Sequence, residues 1–166
     1  MKTLVIYYSF SGNTKLIANT IATELNTDVL ELKPPKTLIN ETGFMRYLWG
    51  GGQVIMQEKP KLLPFNVNPL DYDLIFIGTP VWAFSFAPPF KTFFSTTKLT
   101  NKKIALFCTH AGAMGKTLDN MKQELSNNTI VGEINFFEPL KSQTKEKIIL
   151  TQKWSQSIFL STSKPK

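Results

Sequence analysis

The chain has 166 residues, 42% hydrophobic and 12% aromatic, which suffices for a buried core and excludes a disordered polymer. One cysteine excludes an internal disulfide, and no apolar run approaches the ~18 residues of a membrane span. The formal net charge of +7 has no dense basic run behind it, so nucleic acid is not an expected partner.

The elements alternate along the chain. Residues 2–8 are nearly all apolar and read as a strand buried on both faces. Residues 13–25 read as a helix with Leu16, Ile17, Ile21 and Leu25 on one face. Val29–Leu32 reads as a second strand, closed by Pro34-Pro35. Residues 36–70 are an irregular insertion, with a short helix expected around Phe44, Tyr47 and Trp49 and a break at Gly50-Gly51-Gly52. Residues 74–78 form a third strand that gives way to a loop from Thr79 to Phe86. Pro88-Pro89 then opens a helix to about Thr97. A fourth strand spans 103–109, a loop follows, and a helix over 116–126 turns Leu118, Met121 and Leu125 inward. A fifth strand covers 129–137. A last helix over 144–161 carries Ile148, Ile149, Trp154, Ile158 and Leu160, and the tail from Ser161 reads as frayed.

Strands alternating with helices predict one α/β domain over residues 1–166. Its architecture is three-layered and doubly wound, a five-stranded parallel sheet with helices on both faces. In such sheets ligands sit beyond the carboxyl ends of the strands. Three segments there stand out. Ser9-Phe10-Ser11-Gly12-Asn13-Thr14 puts hydroxyls, an amide and a glycine in front of a helix N-terminus, which suits an anion such as phosphate. A polar turn with an ordinary helix cap has the same composition. Thr79-Pro80-Val81-Trp82-Ala83-Phe84 is aromatic where a loop is usually polar, and reads either as a stacking wall or as core. Cys108-Thr109-His110-Ala111-Gly112, with Gly115 beyond it, is small and holds the only histidine. Together they suit a planar aromatic ligand that carries a phosphate. No nucleophile set and no metal-ligand cluster is apparent, so no catalytic residue is assigned.

These three segments resemble the flavodoxin-like FMN-binding proteins of the short-chain type. The first is similar to their phosphate loop, and the other two are similar in place to their two isoalloxazine loops. The resemblance implies FMN as cofactor. It assigns the phosphate to Ser9, Ser11, Gly12, Asn13 and Thr14, with Phe10 in the same motif. One side of the ring falls to Thr79, Pro80, Val81, Trp82, Ala83 and Phe84, with Trp82 stacking. The other side falls to Thr109, His110, Ala111, Gly112 and Gly115, with Cys108 at the head of that motif.

The implied function is a cytoplasmic electron carrier between redox partner proteins. Two alternatives are an FMN-dependent NAD(P)H oxidoreductase for a quinone-like substrate and a flavin-free binding module. Residues 90–166 hold twelve basic and five acidic side chains, against seven and seven before them. That half reads as solvated lysine or as a basic face for an acidic partner.

Overall fold

A computed structural model describes residues 1–35 and 59–163. Its elements run β1 (Thr3–Tyr7), α1 (Asn13–Leu25), β2 (Asp28–Glu31), a 3-10 turn (Pro69–Asp71), β3 (Leu74–Trp82), β4 (Ser85–Phe86), α2 (Pro89–Thr96), β5 (Lys103–His110), α3 (Thr117–Glu124), β6 (Thr129–Phe137) and α4 (Thr144–Ser163). The expected helix around Tyr47 and the glycine triplet lie outside the described residues.

Five strands pair in parallel in the order β2-β1-β3-β5-β6. The order reverses between β1 and β3, so their carboxyl ends flank a crevice. Side-chain alternation sends successive residues to opposite faces. Val5, Phe76 and Phe107 meet Ile17, Ala18 and Ile21 of α1 and Ile158 of α4. Leu4, Ile6, Ile75, Ile77, Leu106 and Cys108 meet Phe90, Phe93 and Phe94 of α2 and Leu118 and Met121 of α3. Full burial of Phe90 and Phe93 contributes on the order of 1.5–3 kcal/mol each.

Two expectations are corrected. Thr79–Trp82 is strand, because β4 folds back antiparallel and pairs Val81 with Phe86 and Trp82 with Ser85. Its turn residues, Ala83 and Phe84, both take left-handed conformations, with φ of 46° and 60°. The last helix does not stop at 161, since Thr162 is helical and buried and its carbonyl accepts from Lys103 Nζ at 2.6 Å. Its inner face is Thr151, Ser155, Ile158 and Thr162, while Ile149 and Leu160 are exposed. Three of these inner residues are hydroxyl side chains that donate to carbonyls of their own helix, at Lys147, Gln152 and Ile158, which removes the penalty for burying them.

Candidate functional site

The loop after β1 is set by Gly12. Its φ of 88° belongs to the left-handed region, and its carbonyl accepts the first bond of α1, from Leu16 N–H at 2.9 Å. The amides of Asn13, Thr14 and Lys15 precede that bond and have no acceptor within the helix. No acidic residue lies in the first turn, and no side chain caps it. Ser9 Oγ is enclosed and has no hydrogen-bond partner among the described residues.

The other loop side chains are already engaged. Asn13 Nδ2 donates to Ser11 Oγ at 3.0 Å, and Asn13 Oδ1 accepts from Leu140 N–H at 3.0 Å. Thr14, 1% exposed, meets Thr109 Oγ1 of β5 at 2.8 Å. Phe10 is 39% exposed and lies edge-on to Trp82, whose ring also meets Tyr8 edge-on at 5.7 Å.

The β3–β4 hairpin stands beside this loop. Thr79 is wholly buried, and its hydroxyl donates to Pro80 O and accepts from Ala87 N–H, so it is fixed within the hairpin. The tip rests on the third loop. Lys116 N–H donates to Phe84 O at 3.2 Å, and Asn120 Nδ2 donates to Ser85 Oγ at 2.9 Å. Gly115, φ 55°, is required there because a Cβ would meet Phe84 Cβ at 2.5 Å. Ala111, Gly112 and Ala113 are exposed, and a Cβ on Gly112 would meet open space.

His110 is the last residue of β5 rather than part of a loop. Its Nε2 lies 3.0 Å from Asn135 Oδ1, its enclosed Nδ1 has no partner among the described residues, and its ring meets Phe137 edge-on. Cys108 lies in the core beside α2 and α3. Burial chiefly, with the Glu133 charge adding to it, pushes its thiol up to about 12, so it is an unreactive neutral thiol. Among the described residues, no group of three His, Cys, Asp or Glu could hold a metal ion, and no helix is long and apolar enough to cross a membrane.

The structure thus brings the loop from Ser9 to Thr14, the hairpin through Trp82 and Phe84, and Ala111 to Gly115 to one edge of the sheet. The side chains of Cys108 and Thr79 turn inward from it. Leu140 and Asn135 join the neighbourhood with no local signal in the sequence, because both arrive from the far end of the chain.

The family model for flavodoxin matches residues 2–148. The chain belongs to the flavodoxin family. Among solved structures, this flavodoxin-family chain is similar to a flavoprotein from Lactobacillus acidophilus NCFM in complex with FMN. The two are 26% identical with a TM-score of 0.62, over 86% of this chain and 97% of that one. It shares its fold with oxidised flavodoxin 1 from Bacillus cereus at 18% identity and a TM-score of 0.60, over 96% and 97% of the two chains. Two-electron reduced Megasphaera elsdenii flavodoxin matches at 19% identity and a TM-score of 0.56, over 93% and 98%. No curated protein sequence matches the chain significantly.

Proposed function

We propose that this chain binds FMN at the carboxyl edge of β1, β3 and β5 and carries electrons between partner proteins. The observation that carries this reading is the enclosed Ser9 Oγ, without a hydrogen-bond partner among the described residues, in the loop that leads into the uncapped first turn of α1. A buried donor without an acceptor costs about 1–3 kcal/mol, and a phosphate oxygen would relieve that cost. The residues present therefore fit the cofactor. Ser9, Ser11, Asn13, Thr14 and the amides after Gly12 hold the phosphate. Trp82 and the hairpin tip flank one side of the ring, and Ala111 to Gly115 flank the other.

Bound FMN supplies reversible one- and two-electron transfer. The chain supplies binding and field. Lys15, Lys116 and Lys145 stand at the carboxyl end of the sheet, and none is ion-paired among the described residues. They favour an acidic partner and a reduced, more negative ring. A lone buried thiol suits a reducing, cytoplasmic setting.

The experiment is a titration of the protein with FMN, read by quenching of flavin fluorescence, followed by NADH and NADPH in the same anaerobic cuvette. Quenching without bleaching is expected. Rapid bleaching would replace the carrier with a reductase, a reading favoured by the open space at Gly112. Absence of quenching would leave a flavin-free binding module.

A further inference from the structure

A hydroxyl has one proton, so two buried hydroxyls in contact must divide the roles of donor and acceptor. Thr14 and Thr109 are such a pair, 1% and 3% exposed, with oxygens 2.8 Å apart and either able to donate. Alternation along β5 turns Phe107 and Thr109 toward α1 and turns Cys108 the other way. Thr109 therefore points at the phosphate loop and not at the ring side that the family resemblance assigns to it.

We propose that Thr109 is a positioning residue for phosphate recognition: its hydroxyl donates to Thr14 Oγ1 and so leaves the single proton of Thr14 for a phosphate oxygen. The inference rests on the FMN reading above. A phosphate dianion only accepts, so Thr14 beside it must donate. The one role left for Thr14 in the buried pair is acceptor, and Thr109 must then give the proton. The reverse arrangement would turn Thr14 lone pairs toward an anion. Thr109 thus sets the polarity of a loop that is 95 positions away in sequence. Ser9 Oγ, enclosed and without a partner among the described residues, supplies the second donor of the same cradle. The consequence is selectivity for phosphorylated over unphosphorylated flavin.

The test measures FMN and riboflavin affinity of the full chain for wild type, Thr109→Val, Thr109→Ser, Thr14→Val and the double valine variant. Thr109→Val should weaken FMN about tenfold, the size of one lost hydrogen bond, and leave riboflavin unchanged. Thr109→Ser should restore FMN binding, and Thr109→Val should add nothing in the Thr14→Val background. Equal loss of both flavins would make Thr109 a ring contact and overturn the proposal, as would unchanged FMN affinity. If Thr109→Val does not fold, Thr109→Cys keeps the volume with a weaker donor, and the FMN-to-riboflavin ratio must still fall. Wild type that binds neither flavin overturns the FMN reading itself. Wild type that binds FMN, with an unaltered ratio in the variants, overturns only the role of Thr109.

Discussion

The ring of Phe107 occupies the space in which a side chain on Gly78 would begin, with three ring atoms far inside van der Waals contact of that position. The two residues face each other across β3 and β5, at the point where the sheet meets α1. Gly78 is therefore a packing requirement and not a turn residue. Gly78→Ala should destabilise the fold by about 1–3 kcal/mol, read from urea denaturation. Adding Phe107→Leu should recover part of that loss. A Gly78→Ala protein as stable as wild type would contradict this account.

Asn13 ties the phosphate loop to the segment between β6 and α4 through the Leu140 amide. Asn13→Ala should cost about 0.5–1.5 kcal/mol and speed exchange of the Leu140 amide proton. Asn13→Asp keeps the acceptor, so protection of that amide should persist, and the Ser11 hydroxyl can turn to donate to the new carboxylate. Equal protection in wild type and Asn13→Ala would show that another group holds the loop.

Stability should fall with alkalinity. Cys108 holds its proton in the folded state to about pH 12 but releases it near 9 when unfolded. The unfolded state therefore binds fewer protons across that interval, and stability is lost as pH rises. The buried Tyr8, pushed up to about 12 by burial, adds a loss of the same sign above about pH 10. Each group contributes at most about 1.4 kcal/mol per pH unit. Urea midpoints should drop above about pH 9, and Cys108→Val should flatten the drop between 9 and 10. A thiol reagent at about pH 8 should label wild type only after unfolding.

The basic surface should be visible in kinetics. Reoxidation of the reduced, FMN-loaded protein by ferricyanide, an anion, should slow several-fold as salt is raised, roughly from 0.01 to 0.5 M. The cationic oxidant hexaamminecobalt should show the opposite trend. Identical salt responses would place the lysines too far from the site to matter.

Much of the fold is legible because long apolar strands and amphipathic helices carry their periods openly. Residues 129–137 as a strand and 13–25 as a helix agree with the structure to the residue. Two features are hidden for physical reasons. The β3–β4 turn uses Ala83 and Phe84 at positive φ, where a sequence reading looks for Gly or Asn. The inner face of α4 joins Ile158 to three hydroxyl side chains that satisfy themselves, so the apolar residues of that helix do not mark it, and Ile149 and Leu160 are exposed. The phosphate loop is plain in local sequence. Its supports, Thr109 and Leu140, arrive from residues far along the chain and leave no local trace.

Gly132 receives Ile158 and Trp154 at one point on β6. Around it α4 turns Thr151, Ser155 and Thr162 inward, and Trp154 stands edge-on to Phe76 at 5.6 Å. The missing methyl group at Gly132 is the room that the tip of Ile158 fills, so an absence on the strand marks where this turn of a 20-residue helix is seated.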